Sequence, residues 1–151
     1  MMIKILYISI SGNTRSFIKR LIDYAEAQQE KDTEAPRVLA VEIDDNTLPA
    51  LEEAPYFAFV PTYLEGGNGV DNGDQEILTE SLREYLAYKD NATRCLGVVG
   101  SGNKNFNRQY CLTAKQYAQA FDVPFLADYE LRGTTSDITR VYDILKGIVL
   151  A

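Results

Sequence analysis

Ile3-Lys4-Ile5-Leu6-Tyr7-Ile8-Ser9-Ile10-Ser11-Gly12-Asn13-Thr14 begins as a short apolar run rich in β-branched residues and ends in hydroxyls gathered around one glycine. The first half reads as a buried strand. From Asn13 or Thr14 to about Gln29 the period changes, and Phe17, Ile18, Leu21, Ile22 and Ala25 recur at helical spacing. A strand, a Ser/Gly turn and a helix form the repeating unit of a wound α/β sheet.

The same alternation continues outward from that segment. Val38-Leu39-Ala40-Val41 reads as a second strand, followed by an acidic connection holding Asp44, Asp45, Pro49, Glu52, Glu53 and Pro55. Tyr56-Phe57-Ala58-Phe59-Val60 is apolar throughout, as a strand buried on both faces must be, and Pro61 ends it. A Gly/Asn/Asp-rich stretch from Thr62 to about Asp74 leads to a helix with Ile77, Leu78, Leu82, Tyr85 and Leu86 on one side. Cys95 to Val99 forms a fourth strand and Gly100-Ser101-Gly102-Asn103 a tight loop. Tyr110, Ala114, Tyr117, Ala118 and Phe121 then mark a helix face. The fifth strand opens at Pro124 and runs to about Leu131. Gly133 to Ser136 supply a turn and N-cap, and a last helix presents Ile138, Val141, Tyr142, Leu145, Ile148 and Val149. Five strands and four helices predict a parallel sheet covered on both faces, with strand order 2-1-3-4-5.

Composition narrows the chemistry. The 151 residues suit a single domain spanning 1–151, and 46% hydrophobic content allows a sizeable core. Fifteen basic residues against 22 acidic ones give a formal charge of −7, which argues against nucleic acid or an anionic membrane as partner. The chain has no histidine, so the usual neutral-pH base and the commonest zinc ligand are missing. Cys95 and Cys111 form neither a Cys-x-x-Cys pair nor a disulfide framework, and read as small buried hydrophobes in a reducing cytosol. The positions where a Cys-x5-Arg phosphatase loop places its arginine hold Ser101 and Tyr117. Lys4 interrupts the first apolar run, no basic segment precedes it, and no stretch approaches the roughly 20 apolar residues of a membrane helix. The expectation is a soluble cytoplasmic domain without a metal-ligand cluster.

In such sheets ligands bind beyond the carboxyl ends of the strands, where the strand order reverses. Three loops meet there: Ser9–Thr14, Thr62–Asp74 and Gly100–Asn107. The hydroxyls of Ser9, Ser11 and Thr14 converge with the free N–H groups of a helix start, and Gly12 permits a sharp turn and close approach to a ligand. That combination suits an anion, although capping by Ser11 or Asn13 accounts for the hexapeptide equally well. Neither a Walker loop nor Gly-x-Gly-x-x-Gly is present, so a monophosphate fits best. A response regulator would need an aspartate where Pro61 stands and acidic residues where Ser9 and Ser11 stand. Tyr63 and Phe106 offer flat surfaces for stacking, though each taken singly suits a packing role. Together the three loops describe a mononucleotide with a planar ring.

At this point the residues resemble a known family. Ser9-x-Ser11-Gly12-Asn13-Thr14 looks like the phosphate loop of flavodoxins, which bind FMN. Most of the chain is similar to one branch, the NrdI flavodoxin-like proteins that accompany class Ib ribonucleotide reductases. The likeness rests on Pro61-Thr62-Tyr63 with Gly66-Gly67, on Gly102-Asn103-Lys104-Asn105-Phe106, and on Val123-Pro124-Phe125 with Tyr129-Glu130-Leu131-x-Gly133-Thr134-x-Ser136-Asp137-Ile138. Two positions depart from it: Asn107 stands where the family usually has glycine, and Leu64-Glu65 precede the glycine pair.

The resemblance implies a flavodoxin-like three-layer fold and a cytoplasmic FMN flavoprotein. Its reduced flavin would react with molecular oxygen to give superoxide, used to assemble the dimanganese–tyrosyl radical cofactor of the reductase small subunit. An unidentified partner would reduce the flavin. The protein would act as an activator of the reductase rather than as a turnover enzyme, and no catalytic side chain is assigned. Ser9, Ser11, Gly12, Asn13 and Thr14 would hold the phosphate. Pro61, Thr62, Tyr63, Leu64, Gly66 and Gly67 would border the ring, with a glycine peptide free to flip. Ser101, Gly102, Asn103, Asn105, Phe106 and Asn107 would contact the pyrimidine edge and one ring face. Lys104 would lie near the ring or at the partner's surface. Two alternatives stay open: a flavodoxin carrying single electrons between redox partners, and a nucleotide-binding module without flavin.

Overall fold

The computed structural model describes residues 1–65 and 75–151. In chain order its elements are β1 (Met2–Tyr7), α1 (Asn13–Lys31), β2 (Arg37–Glu42), β3 (Tyr56–Pro61), β4 (Leu64–Glu65) and β5 (Gln75–Glu76). They continue with α2 (Glu80–Ala87), β6 (Cys95–Gly102), α3 (Leu112–Phe121), β7 (Phe125–Glu130) and α4 (Thr135–Val149). Short 3-10 turns occupy Asn91–Arg94 and Lys104–Gln109.

The main sheet runs β2-β1-β3-β6-β7 with every pair parallel. This is the order read from the sequence, with β4 and β5 set apart as a small antiparallel ribbon. Alternate residues of the central strands feed two cores, which is why those strands lack a polar face. Ile3, Ile5, Phe57 and Phe59 pack against Phe17 and Leu21 of α1 and Val141 and Leu145 of α4. Leu6, Ala58, Val60 and Val98 face Leu82 and Leu86 of α2 and Ala114 and Tyr117 of α3. All six residues of β3 are buried.

An extended segment, not a helix, links β2 to β3, and polar side chains secure it. The Asn91 side chain is fully buried; it accepts from the Glu52 N–H at 2.8 Å and donates to the carbonyls of Ala50 and Tyr85, each at 2.9 Å. Glu52 also pairs with Lys4 at 2.5 Å and accepts from the Tyr85 hydroxyl at 2.7 Å. A buried amide with all these partners costs little and fixes the segment's path across the sheet. At the other end of the chain, Thr134 caps α4 as expected. Its hydroxyl accepts from Asp137 N–H at 3.2 Å, and the Asp137 carboxylate accepts from Thr134 N–H at 2.8 Å.

Three local readings are corrected. Gly100, Ser101 and Gly102 belong to β6, because their register continues on both sides: Val60 and Pro61 of β3 oppose Gly100 and Ser101, while Asp128, Tyr129 and Glu130 of β7 oppose all three. A Gly-Ser-Gly tripeptide has low strand propensity, but pairing on both sides outweighs it. Ile77 and Leu78 precede α2. The Ile77 N–H donates to the Tyr63 carbonyl at 3.0 Å, extending the ribbon, and Leu78 takes a φ of +70°. Tyr110 lies ahead of α3, which starts after Cys111.

Candidate functional site

The carboxyl ends of β1, β3 and β6 surround a cleft of 340 Å³ at the reversal of strand order. That volume falls within the roughly 300–1,000 Å³ typical of small-molecule sites. Asn13 and Thr14 line it from the head of α1, Pro61, Thr62, Tyr63 and Leu64 from the end of β3, and Ser101, Gly102, Asn103 and Phe106 from the end of β6. The described parts of the three loops singled out from the sequence therefore converge.

The α1 end is shaped by its turn. Gly12 is the N-cap residue, with φ of +93°, and neither Ser11 nor Asn13 caps the helix. A Cβ added at Gly12 would meet no protein atom within 4 Å, so its glycine is required by backbone conformation and leaves the approach to the helix start open. The Ser9 hydroxyl accepts from the Arg15 N–H at 3.2 Å, occupying one first-turn donor. The N–H groups of Asn13 and Thr14 precede any intrahelical acceptor and carry the positive end of the helix dipole. The Ser11 hydroxyl lies 2.9 Å from that of Tyr63, tying this turn to the loop after β3.

Two buried hydroxyls, one in the cleft wall and one on the neighbouring strand, lack a partner of hydrogen-bonding geometry. One is that of Thr62, in the cleft wall. The other belongs to Tyr129 of β7, a residue 2% exposed that stands opposite Ser101 of β6. Burial pushes the Tyr129 phenol well above its ordinary pKa. Buried polar groups are almost always paired in native proteins, so the orphaned Thr62 hydroxyl in the cleft wall suits a polar ligand.

The loop after β6 is built from its own backbone. Asn103 accepts from Asn105 N–H through its side chain at 2.9 Å and from Phe106 N–H through its carbonyl at 3.0 Å. Lys104 N–H donates to the Glu130 carboxylate at 3.0 Å. This leaves Phe106 60% exposed, an unusual position for a large aromatic and a suitable one for a stacking surface. Asn107 adopts φ of +51°, so it fills the positive-φ role that glycine usually takes. The Lys104 ammonium lies 5.7 Å from the Tyr110 ring centroid.

Ser9, Ser11, Gly12, Asn105 and Asn107 shape the surrounding turns without lining the cleft. Gly66 and Gly67 lie outside the described residues. Gln109 and Leu131 line the cleft and were missed as site residues. Leu131 takes φ of +54° and its N–H donates to the Gly102 carbonyl at 2.9 Å, which brings the end of β7 over the cleft rim. A leucine in that conformation carries no local sequence signal. Among the described residues no cluster of His, Cys, Asp and Glu could hold a metal ion, and no helix is long and apolar enough to cross a membrane.

Comparison with known proteins agrees with this geometry. A short-chain flavodoxin associated with a non-canonical PDU bacterial microcompartment superposes with a TM-score of 0.67 at 18% identity, covering 99% of this chain and 98% of that one. Flavodoxin 2 of Bacillus cereus gives 0.64 at 18% identity, covering 99% of each chain. These likenesses identify the fold as flavodoxin-like. An NrdI-like protein of Streptococcus pneumoniae serotype 4 is 54% identical over 144 residues, spanning 95% of this chain and 92% of the relative. Protein NrdI of Bartonella bacilliformis is 31% identical over 137 residues, spanning 91% and 89%. The family model described as NrdI Flavodoxin like matches residues 5–143, and the chain belongs to that family.

Proposed function

We propose that this protein is a single-domain FMN flavoprotein that helps activate a class Ib ribonucleotide reductase by supplying the oxidant for its dimanganese–tyrosyl radical cofactor. The observation that carries the FMN assignment is the cleft at the strand-order reversal, which joins an open helix start to an orphaned hydroxyl and an exposed aromatic. The donor set fits: peptide N–H groups and hydroxyls for a phosphate, small and aromatic residues for a planar ring. When bound and reduced, the flavin supplies electrons to molecular oxygen, giving superoxide.

The chain's own residues hold and orient. Asn13 and Thr14 at the start of α1 would offer N–H donors to the phosphate, and Gly12 would let it approach the backbone. Ser9 steadies the turn through Arg15 N–H. Thr62 has an unused hydroxyl that would serve the ligand, while Tyr63 and Phe106, both lining the cleft, would offer flat faces to the ring. The Asn103 turn and Gly102 form the edge opposite α1. Membership of the NrdI family supports a reductase small subunit as partner, and a separate protein would reduce the flavin.

The test is an anaerobic reductive titration of the FMN-loaded protein, followed by exposure to air. The reading expects uptake close to a single two-electron wave, rapid reoxidation, and activation of a manganese-loaded class Ib small subunit. Two well-separated one-electron waves and no activation would favour an electron-carrying flavodoxin. Failure to bind FMN would remove both readings.

A further inference from the structure

Leu131 lines the cleft in a backbone conformation that leucine rarely adopts, with φ of +54°. Two residues on, Gly133 takes φ of +73°. A left-handed leucine is unfavourable and persists only where its surroundings hold it. Part of the hold is local. Leu131 N–H donates to the Gly102 carbonyl and Gly133 N–H to the Glu130 carbonyl, each at 2.9 Å. The rest comes from α1. Arg20 donates through Nη1 to the Gly133 carbonyl at 3.0 Å and through Nη2 to the Arg132 carbonyl, while its Nε donates to the Ser16 carbonyl of its own helix at 3.2 Å. The guanidinium lies 5.9 Å from the Phe17 ring centroid, and a Cβ added at Gly133 would come within 2.6 Å of that ring. Ser16, Phe17 and Arg20 share one side of α1 at helical spacing, so the turn after β7 is seated on that helix. The first residues of the same helix, Asn13 and Thr14, line the cleft together with Leu131.

We propose that Arg20 is a positioning residue for the cleft ligand: its planar fork grips the carbonyls of Arg132 and Gly133 and so holds Leu131 at the rim, where it closes one side of the flavin position. The hydrogen bonds of the guanidinium all go to backbone carbonyls, so they direct the chain rather than pair a charge. Two donors on successive carbonyls fix both the place and the tilt of a peptide unit, which a single ammonium on a flexible stem does not. Without that grip Leu131 relaxes toward an ordinary backbone conformation and the rim opens. This inference rests on the FMN reading and adds a residue that lies outside the cleft lining.

A double-mutant cycle on FMN affinity, read by quenching of flavin fluorescence, tests it. Arg20→Met and Leu131→Ala should each weaken binding roughly three- to tenfold, the range of one lost contact. The double variant should be no weaker than the worse of the two singles, because Arg20 acts through Leu131. Arg20→Lys keeps the charge without the fork and should regain only part of the loss; it also replaces Arg20→Met in the cycle if that variant does not fold. Wild-type affinity in Arg20→Met, additive losses in the double variant, or full recovery in Arg20→Lys overturns the positioning role and leaves the FMN reading standing. If the wild-type protein binds no FMN, that reading falls and this proposal falls with it.

Discussion

The hydroxyls of Ser11 and Tyr63 stand 2.9 Å apart, joining the turn before α1 to the loop after β3. Two of the three cleft loops are thus linked to each other before any ligand is considered. Tyr63 is further held through its carbonyl, which accepts from Ile77 N–H at 3.0 Å. The aromatic ring is presented to the cleft from both ends of its residue.

Removing the hydroxyl and removing the ring should therefore differ. Tyr63→Phe loses only the exposed link to Ser11, a change worth under about 1 kcal/mol, and should bind FMN within about threefold of wild type. Tyr63→Ala also loses the flat face, and affinity should fall about tenfold. Titration of the two variants side by side separates the roles; equal losses would mean the ring makes no contact with ligand.

Gly12→Val tests the phosphate turn. A Cβ at Gly12 has open space around it, but φ of +93° is unfavourable for a β-branched residue. The variant should fold with a loss of about 1–2 kcal/mol and fail to retain FMN. Calorimetry and the visible spectrum check both halves. A yellow, stoichiometric flavoprotein would show that the ligand does not approach this backbone.

Glu76 secures the ribbon that carries Leu64 into the cleft wall. Its carboxylate accepts from the Tyr117 hydroxyl at 2.6 Å, from Arg83 Nε at 2.7 Å, and from the Thr79 hydroxyl. The Glu76 side chain is 9% exposed, so these donors have little water to turn to. Glu76→Gln offers one acceptor oxygen in place of two and should cost about 1–3 kcal/mol, seen as a lower urea midpoint at unchanged slope.

Arg15 and Glu42 form a two-pronged pair, Nε to Oε1 at 2.9 Å and Nη2 to Oε2 at 2.7 Å, with the Tyr7 hydroxyl donating to Oε1 at 3.1 Å. The Arg15 hydrogen bond holds the Glu42 carboxyl below its ordinary 4.5. A depressed folded-state value means that the contribution is complete above about pH 4.5 and is lost as pH falls through the lower folded value. Glu42→Gln should be less stable than wild type at pH 7 by under about 1 kcal/mol, since solvent screens the pair. The gap should close on acidification below that point. A gap independent of pH would show that the pair contributes through packing.

Burial pushes the Cys95 thiol up to about 11 and the Cys111 thiol up to about 12. Both should resist a thiol reagent at pH 8 in the folded protein and react together on unfolding. Early reaction of one cysteine would reveal local opening around it.

The sequence by itself determined the strand order, the two buried faces and the position of the cleft. Those features follow from local periodicity: apolar runs at Ile3–Ile8 and Tyr56–Val60, helical spacing from Phe17 to Ala25, and short right-handed crossovers that leave few ways to wind a sheet. Only the tertiary structure placed Gly100–Gly102 in a strand, brought Leu131 and Gln109 to the cleft, joined Ser11 to Tyr63, and set Tyr129 opposite Ser101. Each of those relationships depends on how separate strands and loops register against one another. No window along the chain encodes which residue will stand opposite another after a parallel crossover, so these contacts exist only once the sheet is assembled.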